Sequence, residues 1–478
     1  MNTDKNITDH AIGRKAFIGK MGLLGAIAAI GIPAIGSPAK ILSDENDRST
    51  QNGRDLLIRG GYILSMDEET GDIEKGDILI TDGTIADIGK GLIAKDARVI
   101  DGSGMIVMPG MIETHWHIWT SVLRALAGSK SGVKYFDITS SFGKHFTPDD
   151  MFISTELAAT EAIYSGITFV HDWCHNVRSI EHAKSSIRAL KKHGIRGRFS
   201  VGLPAGADQN DGVDLDIIGE LLRHQKPGNS DMISVGLAIP EAGSNPELRK
   251  KEIAAARTWG IPVTVHAGRK SDGSDSIAKI KDLLNKDMQI VHGIRTSEEE
   301  LKWVADAGAS LSVSPFSELR IGYGFPPVPA MLASGIDIGL SVDTFPLSGN
   351  ADMFAVMKVF MNLANALSEN ELIVPARRIL ELATIEGARS MGIDRHTGSL
   401  RKGKRADIIL INTRTPNMIP VADPVMSVVM AAQPSNVDTV IIEGKIRKAG
   451  GRLLNTEQDA LYERNEILLK RLKKQTDW

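Results

Sequence analysis

Eight short apolar runs, each followed by a longer amphipathic stretch, dominate the middle of this chain and leave few folds open to it. The runs cover residues 111–115, 167–171, 197–201, 233–239, 262–266, 289–292, 310–313 and 336–342. Their lengths and β-branched content read as strands, and the segments between them read as helices. One such helix is expected to begin at Pro148, with Thr147 as N-cap and Asp150 in the first turn. Eight strand–helix repeats over about 240 residues predict an α/β chain with a (β/α)₈ TIM barrel, which takes about 250 residues. A doubly wound parallel sheet is the competing arrangement.

Both flanks have a different texture. Residues 56–66, 76–80 and 84–88 are short strand-like runs with turns at Gly60-Gly61 and Asp82-Gly83, and 406–411 and 437–442 repeat the pattern near the far end. Neither flank has enough strands for a core of its own. We therefore expect one small β-sandwich domain from residues 55–108 and 397–450, with the barrel at 109–396 inserted into it. A charged helix over 451–478 would follow, as surface packing or an oligomer contact.

The first 40 residues stand outside this plan. Arg14 and Lys15 precede a chargeless stretch at 21–36, and Ser37-Pro38-Ala39 offers small residues at cleavage spacing. The segment resembles a twin-arginine export signal, with Arg-Lys in place of two arginines. Periplasmic or exported localisation is the expectation; an uncleaved anchor, or a cytoplasmic protein if the signal is silent, are the alternatives. The net charge of −3 gives no reason to expect a nucleic-acid partner, and no stable membrane span is expected once the signal is removed. With Cys174 the one cysteine, metal chemistry would have to come from the twelve histidines.

In a barrel, catalytic groups project from the carboxyl ends of the strands. Here those ends carry His115 and His117, His171, His266, His292 and Asp343. Strand alternation puts His115 and His117 on one face. Two imidazoles from one strand, His266 from across the barrel and the carboxylate of Asp343 make a nitrogen–oxygen donor set. It suits one divalent ion, Zn²⁺ first, with Fe²⁺, Mn²⁺ or Co²⁺ as alternatives.

The segment from Met108 to His117, Met-Pro-Gly-Met-Ile-Glu-Thr-His-Trp-His, resembles the strand-one signature of the amidohydrolase superfamily. Ser314-Pro315-Phe316-Ser317-Glu318-Leu319-Arg320-Ile321-Gly322 resembles the strand-seven loop of its triazine hydrolase and aminohydrolase branch. Gly398-Ser399-Leu400 with Gly403-Lys404-Arg405-Ala406-Asp407 resembles its return into the β-domain. The resemblance implies that His115, His117, His266 and Asp343 bind the metal. Asp343 would also move the proton as general base, and His292 would polarise the substrate carbonyl. It implies a homo-oligomer too. No lysine ends the fourth strand, where Glu241 stands, so one metal is expected rather than two.

Deaminases of this branch carry a glutamate three residues after the strand-five histidine, and it protonates a ring nitrogen. Arg269 occupies that place here. We therefore expect hydrolysis of an amide, carbamate or urea bond of a small molecule by a metal-bound hydroxide. Ring deamination or dehalogenation on the same scaffold, and a non-catalytic metal-binding protein, are the alternatives. Trp116, Trp119, His171, His175, Glu241, Arg269 and Ser317 are candidate substrate contacts, each with a structural alternative: core packing for the tryptophans, internal hydrogen bonds or ion pairs for the rest.

Overall fold

The computed structural model describes residues 55–224 and 232–478. The expected export signal lies outside the described residues. From the amino-terminal side come β1 (Leu56–Ile63), β2 (Ile73–Thr81), β3 (Thr84–Gly89), β4 (Arg98–Asp101) and β5 (Met105–Pro109). The barrel strands are β6 (Met111–Trp116), β7 (Ile167–Cys174), β8 (Arg196–Gly202), β9 (Ile233–Ile239), β10 (Val263–Ala267), β11 (Met288–His292), β12 (Ser310–Val313) and β13 (Ile338–Leu340). β14 (Ile408–Asn412), β15 (Val437–Ile442), β16 (Lys445–Ala449) and β17 (Arg452–Leu453) complete the list.

Strands β6 to β13 pair in sequence order, each parallel to its neighbour. This is a (β/α)₈ barrel, and its seam lies at the functional end. A parallel bridge joins Trp116 to Asp343. The amide of Asp343 donates to the carbonyl of His115 at 3.0 Å, and the amide of His117 donates to the carbonyl of Asp343. Closing the sheet thus brings the carboxyl end of β6 against the residue three beyond β13.

The remaining strands form one nine-stranded sheet in the order β17-β16-β15-β14-β5-β1-β2-β3, with β4 pairing β1. The β-domain expected from both chain ends is therefore a single hydrogen-bonded sheet, joined where β14 runs antiparallel to β5. It has its own apolar core, including Leu56, Ile58, Ile78, Ile80, Val107, Ile408 and Ile441. Gly110 passes the chain into the barrel; a Cβ there would sit 2.1 Å from the Thr168 side chain, so only glycine fits.

The helix Pro148–Ser165 opens as expected, with a capping box between Thr147 and Asp150. The carboxy-terminal helix Gln458–Gln475 lies along it, with Arg464 on Glu156 at 2.8 Å and Arg471 on Asp150 at 2.5 Å. Of the two expected roles, the described structure shows packing on the chain's own barrel. Among the described residues no helix is long and apolar enough to cross a membrane.

Lys448 is buried where β16 meets the helix Pro148–Ser165. Its ammonium donates to the carbonyl of Tyr164 at 2.7 Å and lies 3.8 Å over the Tyr164 ring. Burial pushes its pKa down to about 8. The unfolded chain then binds more protons between pH about 8 and the ordinary lysine value of about 10.4, so this group makes stability rise with pH across that window. Chemical denaturation of Lys448→Met is expected to lose that rise; an unchanged pH dependence would refute the assignment.

Candidate metal centre

Three side chains, His115, His117 and Asp343, meet at the seam, and His266 approaches them through His115. Nε2 of His115 and Nε2 of His117 lie 3.3 and 3.4 Å from one oxygen of Asp343, and Nε2 of His266 lies 3.4 Å from Nε2 of His115. All four residues are buried. A tetrahedral ion with bonds of about 2.0–2.1 Å separates its ligand atoms by about 3.3–3.4 Å. His115 and His117 stand at this spacing from Asp343, and His266 at this spacing from His115; the mutually close donor atoms fall into two groups that share His115, namely His115–His117–Asp343 and His115–His266–His292. Nδ1 of His117 donates to the Trp173 carbonyl at 2.7 Å, which leaves its Nε2 with a lone pair turned inward. Nδ1 of His115 is buried with no hydrogen-bond partner.

The electrostatics suit a cation. Burial pushes His117 and His266 well below the usual imidazole range, so both stay neutral and able to donate a lone pair. Burial opposes ionisation of Asp343, but the hydrogen bond to His115 helps hold the carboxyl below its usual range. Asp343 has φ +62° and His292 φ +76°, a left-handed backbone that non-glycine residues adopt at a cost of roughly 1–3 kcal/mol. Strain of this kind, at two site residues, is held in place by the surrounding fold.

His292 stands beside the quartet. Its ring stacks on His266 with centroids 5.2 Å apart, and it has a ligand atom within 4.8 Å of those of His115 and His266. Nδ1 of His292 is 3.1 Å from Glu318. Burial lowers His292 to about 3 and raises Glu318 well above the carboxylate range.

The expected substrate contacts separate into those near the centre and those turned away from it. His175 lies against the centre, its ring 4.0 Å from that of His117, and it remains partly exposed. Trp119 sits behind it, donating to His175 at 3.4 Å and packed edge-on against Phe146. Trp116 is fully buried against Phe345, on the far side of its strand, which makes it core packing. His171 is fully buried with Nδ1 on the Thr114 carbonyl and Nε2 on the Ser200 hydroxyl, both at 2.8 Å, so neither nitrogen is left for a ligand. Ser317 is buried and donates to the Ser314 carbonyl at 3.2 Å. For Trp116, His171 and Ser317 the substrate-contact expectation gives way to these internal contacts.

Arg269 is engaged as well. Its Nε donates to Asp275 at 3.0 Å, and its terminal nitrogen pairs with Glu241 at 3.4 Å. Glu241 also receives Lys270 at 2.7 Å. The backbone amides of Arg269 and Lys270 donate to Asp275 too. The loop carrying Asp275 packs so closely that a Cβ on Gly243 would fall 1.7 Å from the Ser274 carbonyl. Arg269 is thus held between two carboxylates through Nε and one terminal nitrogen.

Sequence reasoning missed Asp275 and Tyr323. The Tyr323 ring lies 5.7 Å from His292, and burial pushes its hydroxyl up to about 12, so it keeps its proton. The Gly322-Tyr323-Gly324 triplet just past the strand-seven motif was the available signal.

The amidohydrolase family model matches residues 106–447. The chain belongs to the amidohydrolase family. As such it is a hydrolase acting on carbon–nitrogen bonds outside peptides. This amidohydrolase is 31% identical over 418 residues to a 5-methylthioadenosine/S-adenosylhomocysteine deaminase of Thermoanaerobacter pseudethanolicus, covering 82% of this chain and 93% of that one. It is 28% identical over 426 residues to a 5'-deoxyadenosine deaminase of Methanosphaera stadtmanae, covering 85% and 97%. Among solved structures, a zinc-bound adenosine deaminase from Xanthomonas campestris superposes with TM-score 0.81 at 22% identity, covering 88% of this chain and 99% of that one. A zinc-bound atrazine chlorohydrolase from Arthrobacter aurescens gives 0.73 at 20%, covering 87% and 100%.

Proposed function

We propose that this amidohydrolase holds one zinc ion on His115, His117, His266 and Asp343 and hydrolyses an amide, carbamate or urea bond of a small molecule. The observation that carries the choice of bond is Arg269. It stands where ring deaminases of the resembled branch keep their protonating glutamate, and Asp275 and Glu241 hold it in place. Glu241 in turn accepts from Arg269 and Lys270, so it is committed as an ion-pair partner and is poorly placed to act as a proton donor.

An acyl C–N bond needs no ring protonation. When bound, the ion supplies Lewis acidity toward a carbonyl oxygen and a water molecule. Asp343 then has the protein's part of the proton transfer: its carboxylate accepts the proton of the attacking water and returns it to the departing nitrogen. His175 and Tyr323 border the approach to the centre.

Ring deamination of an adenine nucleoside is the second reading, favoured by identity to curated deaminases over more than four-fifths of the chain. Zinc-loaded protein offered acyl substrates of the three classes beside 5'-deoxyadenosine separates the two. Amine release from an acyl substrate with no ammonia from the nucleoside is the expected result; the reverse would overturn the proposal. Metal analysis tests the centre by itself: about one zinc per chain in wild type, and well under half of that in His117→Ala, which loses one of four ligands. Full metal content in the variant would remove His117 from the site.

Export through the twin-arginine-like segment remains part of this proposal. Mature protein from a periplasmic fraction should begin near residue 40, and an intact amino terminus in that fraction would argue for an anchor.

A further inference from the structure

We propose that Trp478 is a positioning residue that holds segment 124–144, one wall of the substrate approach, in place at the barrel mouth.

The carboxy-terminal helix carries it there. Arg464 pairs with Glu156 and Arg471 with Asp150, so the helix Gln458–Gln475 runs antiparallel to Pro148–Ser165 and its last turns lie beside the first turn of that helix. In a (β/α)₈ barrel, the helix between two strands starts on the side of the first strand's carboxyl end, where the site is built. Residues just past Gln475 therefore reach the mouth. The Trp478 amide donates to the Lys473 carbonyl at 2.9 Å, which folds the residue back onto the last turn. Its ring meets that of Phe142 edge-on with centroids 5.4 Å apart, and the Lys130 ammonium lies over its face at 4.7 Å. Phe142 is fully buried on the helix Tyr135–Gly143, so the indole grips both that helix and the loop before it.

The segment needs such a hold. It follows His117 after the 3-10 turn Ile118–Leu123. Its near end is anchored from the barrel: the Ala125 amide donates to the Phe345 carbonyl at 3.0 Å, and Arg320 donates to the Ala127 carbonyl at 3.1 Å. Residues 128–132 are exposed, and Gly128 and Gly132 are left-handed, at φ +73° and +79°. Exposed backbone of this kind lies at the low end of local stability, and glycine loses the most chain entropy on being ordered. Beyond the loop, Tyr135 is buried. Burial first, and then the charge of Asp343, push its hydroxyl well above the usual range, so the segment ends within electrostatic reach of the metal centre. The inference rests on that centre as the reaction site, but not on the choice of acyl substrate.

Limited trypsin digestion of full-length, zinc-loaded protein tests it, with cleavage after Lys130 and Lys134 followed by mass spectrometry. Trp478→Ala should be nicked there about tenfold faster, because losing an aromatic pair and an exposed cation–π contact raises the open population by about that factor. Trp478→Phe keeps a ring in place and should recover most of the protection. Lys130→Gln, followed after Lys134, should be nicked severalfold faster, and it decides even if the alanine variant fails to fold. Zinc content and cleavage after Arg464 should stay as in wild type. On the acyl substrates offered above, KM should rise severalfold in Trp478→Ala with kcat unchanged, the pattern of lost uniform binding. Unchanged nicking in folded Trp478→Ala or in Lys130→Gln would overturn the proposal, as would an unchanged KM. An equal rise after Arg464 would overturn it too, because the whole helix would then have left the barrel. Digestion requires no turnover, so failure of the acyl panel and failure of this assignment are distinguishable.

Discussion

Asp343→Asn is expected to lower kcat by about 10³-fold, within the roughly 10²–10⁴-fold that general acid–base groups contribute. The carboxylate has two duties, and the amide is poor at both. One oxygen of Asp343 lies 3.3 Å from His115 and 3.4 Å from His117, where a single ion would share all three donors. An asparagine oxygen could stay there as a neutral and weaker ligand. It could not take a proton from water, because an amide oxygen is a very weak base. Zinc content should therefore fall only partly while turnover collapses. The measurement is kcat under saturating zinc beside metal stoichiometry. Activity within tenfold of wild type would show that another group moves the proton.

Arg269→Leu is expected to destabilise the fold by about 3–5 kcal/mol, the usual effect of removing one partner from a buried ion pair. The Asp275 side chain is fully buried and that of Arg269 is one-tenth exposed, so solvent does little to screen what remains. Asp275 would keep two backbone donors but lose its counter-charge, and Glu241 would keep only Lys270. Chemical denaturation compares Arg269→Leu with the double variant Arg269→Leu/Asp275→Leu, which removes both charges and should recover much of the loss. A single variant as stable as wild type would mean that the pair carries no structural weight. Arg269→Glu should fail to create a ring deaminase, because it would put a third carboxylate beside Glu241 and Asp275 with only Lys270 to balance them.

The candidate metal centre was legible before any coordinates because His115, His117, His266 and Asp343 lie at or just past the ends of strands. Strand ends are a one-dimensional property: apolar runs stop, and the polar residue that follows is placed at the barrel mouth by topology. The runs expected at 233–239 and 310–313 are the strands Ile233–Ile239 and Ser310–Val313. The run at 336–342 pairs only over Ile338–Leu340, since the chain turns out of the ladder toward the strained Asp343. Arg269 was legible by counting three residues from His266, and that a glutamate stands there in deaminases is what the amidohydrolase resemblance implies.

What periodicity cannot encode is which partner a side chain meets. Trp116 and His117 are adjacent in sequence, yet one packs against Phe345 and the other joins the ligands, because pleating sends neighbours to opposite faces. His171 ends a strand as the ligands do, but Thr114 and Ser200 occupy both its nitrogens. Asp275 reaches Arg269 through a loop shaped by close backbone packing at Gly243. Glu318 and His292 belong to successive strand–helix units and touch only once the barrel has formed. Sequence by itself determined the barrel and put His115, His117, His266 and Asp343 at the ends of its strands, because hydrophobic period and strand polarity act along the chain. Tertiary structure alone decided which groups are free to meet a substrate, because hydrogen-bond and ion-pair partners arrive from loops distant in sequence.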